Sequence, residues 1–133
     1  MKILFVIFVL FTKFVNAEVI DINNRELSNL IEKEIKIIDV RTQSEWKSIG
    51  IIKGSYLISL LNKNKKFIFE DWYAMFENKF GKNESIVFIC ASGVRSNYIS
   101  HLVQRRKPDL KIYNLEKGIN HWIRSGNKIY RFK

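Results

Sequence analysis

The chain has 133 residues, a net charge of +10 at pH 7, and is 47% apolar and 14% aromatic. That length bounds it to one compact domain, and that apolar content excludes a disordered chain. A single cysteine and a single proline, with no Gly/Ser-rich or repeated tract, exclude a disulfide scaffold, linked domains and a repeat protein.

Residues 1–17, MKILFVIFVLFTKFVNA, start basic at Lys2, run apolar from Ile3 to Phe11, and end Val15-Asn16-Ala17. This is the pattern of a secretory signal peptide cut after Ala17. Thr12, Lys13 and Asn16 break the run short of the roughly 20 apolar residues that a spanning helix needs. The expectation is a domain over 18–133, periplasmic or secreted, with no stable membrane insertion after cleavage; the alternative is a segment kept as a membrane anchor. Cleavage removes Lys2 and Lys13 and no acid, so the charge falls from +10 to +8. Such a charge favours small anions, anionic surfaces or nucleic acid. The basic residues are scattered rather than striped, so no nucleic-acid partner is expected.

Glu18 to Asp21 reads as a short strand, and Asn23 or Asn24 as the cap of a helix through about Lys33, with Leu27, Leu30 and Ile31 on one face. IKIIDV, 35–40, is a β-branched run and reads as a buried strand. One or two helical turns follow over Ser44 to Ile49, then a weak strand over Ser55 to Ser59. FEDWYAMFENKF, 69–80, is the clearest amphipathic helix, with Trp72, Met75, Phe76 and Phe80 at helical spacing and Gly81 as its stop. SIVFI is a second buried strand. A helix is predicted over Asn97 to Lys107, a strand at KIYNL, and a short last helix over Gly118 to Ser125. Strands alternating with helices imply a mainly parallel α/β sheet with helices on both faces. In such sheets ligands gather at the carboxyl ends of the strands, and Cys90 sits at one of those ends.

The segment Cys90-Ala91-Ser92-Gly93-Val94-Arg95-Ser96 has the residue types for an anion nest. Small residues and a glycine let successive backbone N–H groups curl inward, and the following helix directs its N-terminal dipole at the same point. Thiolate is the reactive form of cysteine, and Arg95 offers a planar charged fork. Cysteine also packs as a small buried hydrophobe, but the glycine and arginine favour a nucleophile at Cys90. In an oxidising compartment a lone thiol is either an intermolecular link or a reactive group.

Three motifs carry a resemblance to the rhodanese (thiosulfate sulfurtransferase) family: CASGVRS at 90–96, IIDVRTQSEW at 37–46, and LEKGINHWIRSG at 115–126. The resemblance is to a single-domain rhodanese and spans about Val19 to Phe132. It implies a rhodanese-like fold and an exported sulfurtransferase in which Cys90 forms a persulfide, with Ala91, Ser92, Gly93, Val94, Arg95 and Ser96 cradling the substrate. It further implies a small anionic sulfur donor such as thiosulfate, a thiol or cyanide acceptor, a redox or sulfur-carrier protein as a further partner, and no cofactor or metal. The sequence departs from the family at Ile51, where a histidine is usual, and at Lys117, which replaces the first glycine of a pair.

The competing readings are a persulfide carrier or binding module without turnover, a cysteine-dependent phosphatase, and an arsenate reductase. Only four residues separate Cys90 from Arg95, one fewer than in the phosphatase loop, which suits sulfur better than tetrahedral phosphate. Asp39, Arg41 and Glu45 are expected as supporting residues. Asp39 and Arg41 lie at a strand end, more in an ion-pair or capping role than on substrate, and Arg41 is expected to pair with Glu45 four residues on. Trp46, Trp72 and Trp122 are read as core, with Trp72 a candidate for the pocket rim. His101 and His121 have no metal-ligand spacing and no motif that sets them beside Cys90.

Overall fold

The computed structural model describes residues 18–133; the expected signal peptide lies outside the described residues. In chain order the elements are β1 (Ile20–Ile22), α1 (Asn24–Glu32), β2 (Lys36–Asp39), α2 (Gln43–Ile49), β3 (Tyr56–Leu57), α3 (Phe69–Phe80), β4 (Ser85–Ile89), α4 (Val94–Arg106), β5 (Lys111–Leu115) and α5 (Gly118–Arg124). All strand pairs are parallel, and the sheet order is β1-β5-β4-β2-β3. The α/β alternation expected from the sequence is present.

The central strand β4 shows why its sequence carries no polar alternation. Ile86, Phe88 and Cys90 join one core with Trp72, Phe76 and Phe80 of α3 and Ile99 and Val103 of α4. Val87 and Ile89 face the other core, with Leu27 of α1 and Ile119 and Trp122 of α5. A strand buried on both faces has no solvent side on which to place a polar residue.

Local signals set the helix starts. Asn23 caps α1 and exchanges bonds with Glu26, and Thr42 does the same with Glu45 at α2. In α3, Trp72, Phe76 and Phe80 repeat every four residues and are buried, whereas Met75 is exposed. Met75 therefore lies off the stripe that the sequence suggested. Trp72 is buried core, stacked on Phe76 at 5.4 Å, and not a rim.

The largest boundary difference is at α4, which starts at Val94 rather than Asn97. The chain leaves β2 toward β3 but leaves β4 toward β5, so the strand order reverses between β2 and β4. A crevice at the carboxyl ends of the strands belongs at such a reversal. It brings Asp39, Val40 and Arg41 next to Cys90, with Val40 N donating to Ile89 O at 3.0 Å.

Candidate active site

Cys90 is fully buried. Its Sγ accepts from Gly93 N at 3.2 Å and Ser96 N at 3.3 Å. The second bond replaces an ordinary helix cap. Gly93 is the N-cap of α4 and has no side chain to offer, so a sulfur three residues upstream takes an amide from the first turn. The early start of α4 makes this contact, because Ser96 is already helical and its N–H is one of the first-turn donors without a carbonyl partner.

Two glycines close the loop onto its neighbours. Gly93 has φ +91°, and a Cβ there would sit 1.9 Å from Glu116 O. Gly118 has φ +65°, and a Cβ there would sit 2.3 Å from Ala91 O. Only glycine takes both the conformation and the approach. The first turn of α5 then donates into the loop, Ile119 N to Cys90 O at 2.9 Å and Asn120 N to Ala91 O at 3.0 Å. Lys117, in place of a family glycine, has φ −99°, which any residue adopts, so the substitution leaves this turn unstrained. Ile51, at the family's histidine position, pairs its backbone with Tyr130.

The ion pairs differ from the expectation. Arg41 does not pair with Glu45. Its Nη2 lies 2.7 Å from Asp39 Oδ2 and donates to Gly50 O at 2.8 Å, and both side chains of the pair are wholly buried. The reason is the position of the helix start. Thr42 is the N-cap, so Arg41 precedes α2 and the four-residue spacing of a helix face does not apply to it. Glu45 instead faces Arg95, which donates Nη1 to Oε2 at 2.9 Å and Nη2 to Oε1 at 2.7 Å. This bidentate pair ties the start of α2 to the start of α4.

The Arg95 guanidinium holds the Glu45 carboxyl down at a pKa of about 2, from an ordinary 4.5, with Thr42 adding smaller bonds. Glu45 in turn raises the pKa of Arg95 above its usual value. A carboxyl whose pKa is depressed in the fold stabilises the fold above its unfolded pKa, and that stabilisation fades as pH falls toward the folded value. Folding stability should therefore carry a component that disappears between about pH 4.5 and pH 2. In Arg95→Met, the fall of Tm across that window should be shallower than in wild type. Equal slopes would show that the pair contributes nothing.

Of the remaining loop residues, Ala91 contributes its carbonyl to α5, Ser92 is exposed, and Val94 is 70% exposed, so only its backbone borders the loop. His101 is exposed, and His121 contacts Asn24 Nδ2 through Nδ1 at 3.1 Å. Asn114 was not singled out in the sequence, yet it is buried beside the loop. It accepts from Ser96 Oγ at 2.6 Å and donates to Asp21 Oδ1 at 2.9 Å. Its only local signal is a polar residue inside the apolar strand KIYNL.

Fold and loop together define a class: a parallel α/β domain that presents a cysteine sulfur to backbone amides at a helix start, beside the strand-order reversal. The Rhodanese-like domain model matches residues 23–125. The chain belongs to the rhodanese-like domain family. It is 35% identical over 92 residues to an uncharacterized protein of Rickettsia prowazekii (strain Madrid E), covering 62% of this chain and 67% of that one. A rhodanese-like domain protein from Staphylococcus aureus superposes with a TM-score of 0.65 at 26% identity, over 86% of this chain and 100% of that chain. A thiosulfate sulfurtransferase from Pseudomonas aeruginosa gives a TM-score of 0.68 at 13% identity, over 86% of this chain and 21% of that chain, a likeness of fold. Membership points to sulfur transfer or a related cysteine chemistry.

Proposed function

We propose that the protein is a sulfurtransferase that works through a persulfide on Cys90. The observation that carries this reading is the pair of backbone N–H groups, from Gly93 and Ser96, aimed at a buried sulfur. Such donors favour negative charge on sulfur, in the thiolate and on the outer sulfur of a persulfide. Thiosulfate is the test donor. The Cys90 thiolate attacks its outer sulfur, and sulfite departs with the electron pair of the broken S–S bond. An acceptor thiolate, or cyanide in an assay, then attacks the outer sulfur of the persulfide. Cys90 leaves as thiolate and the cycle closes, a covalent ping-pong scheme.

Two features support sulfur over phosphate. The spacing from Cys90 to Arg95 is short, and the sulfur lies fully below the surface, where a slim terminal sulfur reaches more readily than a tetrahedral phosphate. The positive net charge favours an anionic donor. The domain acts after export, with the chain cut after Ala17, and hands its sulfur to a small thiol or to a redox or carrier protein.

Incubation with thiosulfate followed by intact-mass measurement tests the central step. One added sulfur atom, removed by cyanide and absent in Cys90→Ser, is expected. A wild-type mass that stays unchanged, with Cys90 reduced at the start, refutes the persulfide. Mass measurement on a periplasmic or secreted fraction tests export, where a chain starting at Glu18 is expected.

A further inference from the structure

A line of side chains runs from the surface to the reacting sulfur: Asp21 on β1, Asn114 on β5, Ser96 on α4 and Cys90 at the end of β4. Asn114 Nδ2 donates to Asp21 Oδ1 at 2.9 Å, Ser96 Oγ donates to Asn114 Oδ1 at 2.6 Å, and Ser96 Oγ lies 3.3 Å from Cys90 Sγ. Cys90, Ser96 and Asn114 are buried, and Asp21 is exposed beside Ser92 and Gly93 on a surface cavity of about 240 Å³.

The direction of each bond follows from what each group can do. A carboxylate only accepts, so Asp21 fixes the Asn114 amide with its NH₂ outward and its Oδ1 inward. That oxygen only accepts, so it takes the one hydroxyl proton of Ser96. Toward Cys90, Ser96 is then left with lone pairs alone. It can accept from a thiol S–H but cannot donate to a thiolate. For Ser96 to turn its proton to the sulfur, Asn114 Oδ1 must give up its partner inside the protein, which costs free energy.

We propose that Asn114, oriented by Asp21, is a positioning residue that directs the Ser96 hydroxyl proton away from Cys90 and so sets how readily that thiol ionises. Asp21 acts on the sulfur through three hydrogen-bonding steps rather than by contact. Two amide donors point at the sulfur, and the oriented serine offers it no third. The other charged groups around the loop are Asp39, Arg41 and Glu45 from the β2–α2 side, Arg95 on α4, and Glu116 and Lys117 in the turn before α5. On the α3 side the packing is apolar, with Trp72, Phe76 and Phe88. None of these groups bonds to Ser96 Oγ.

The inference rests on Cys90 being the reacting thiol. Alkylation reads the thiol directly, so its outcome is separate from that of the thiosulfate mass test. The probe is iodoacetamide, with rate measured against pH on the chain from Glu18. Asp21→Asn, at an exposed position, lets the neighbouring amide turn over and present NH₂ to Ser96, which then donates to sulfur. The profile should move to lower pH, with a rate on its rising limb about three- to tenfold higher, the effect of one redirected buried hydrogen bond. Loss of a negative charge alone would move the profile the same way, so the deciding comparison is in a Ser96→Ala background. There Asp21→Asn should keep only the smaller shift of the lost charge, because the hydroxyl that relays the rest of its effect is gone. Asn114→Leu should act in the same direction as Asp21→Asn; should it fail to fold by circular dichroism, the Asp21 pair of measurements decides alone. An equal shift with and without Ser96, or no shift with it, overturns the proposal.

Discussion

Cys90→Ser should fold normally and transfer no sulfur from thiosulfate to cyanide, with turnover at the uncatalysed background. The loop should survive because its geometry does not depend on the thiol. Gly93 and Gly118 fit against the carbonyls of Glu116 and Ala91, and α5 donates to the Cys90 and Ala91 carbonyls. A serine oxygen can accept from the same two amides. The chemistry should not survive. A hydroxyl needs a general base to become a nucleophile, and the side chain hydrogen-bonded to position 90, Ser96, is itself a neutral hydroxyl and no base. The check is the thiosulfate:cyanide assay together with thermal unfolding. A stable variant without turnover is the expected result, and retained turnover would refute the persulfide scheme.

The largest expected effect on stability comes from Arg41→Ala. Asp39 and Arg41 are both completely buried and bonded to each other through two nitrogens, and Arg41 also donates to Gly50 O. Removing the guanidinium leaves a buried carboxylate without its counter-charge, a change that typically costs about 3–5 kcal/mol. For a domain of this size Tm should fall by roughly 10–20 °C. The double change Asp39→Leu with Arg41→Met should recover a large part of that loss, since apolar replacement of a whole buried pair is often close to neutral. Thermal unfolding of the three variants tests it. An Arg41→Ala variant as stable as wild type would show that the pair is dispensable. A full loss of transfer in a still-folded Arg41→Ala would move Arg41 from support of the fold to contact with substrate.

Much of the site follows from short-range physics. The unbroken run SIVFI announces a strand buried on both faces, and a cysteine just past it, followed by Ala-Ser-Gly-Val-Arg-Ser, announces a loop feeding a helix. Asn23 with Glu26, and Thr42 with Glu45, are capping pairs only three residues apart, so neither needs the fold to be recognised. The strand–helix alternation follows from the same local patterns, because hydrophobic period is a property of neighbours in the chain.

The partners of the charged and polar groups were settled at longer range. Glu45 meets Arg95 across 50 positions, Ser96 meets Asn114 across 18, and Asn114 meets Asp21 across 93. These contacts exist because the sheet runs β1-β5-β4-β2-β3, which sets β5 between β1 and β4 and brings the ends of β2 and β4 side by side. No local propensity encodes that order. It arises from burying both faces of the sheet beneath helices that must cross over it. The same cause explains Arg41, whose neighbour in sequence offered a carboxylate at the right spacing. Because α2 begins only at Gln43, after its cap Thr42, that spacing carries no meaning for Arg41, and burial at the strand end gave Arg41 to Asp39 instead. Residue types and their order thus specified a cysteine at a strand end ahead of a glycine-bearing loop, while the sheet's crossovers decided which side chains surround it.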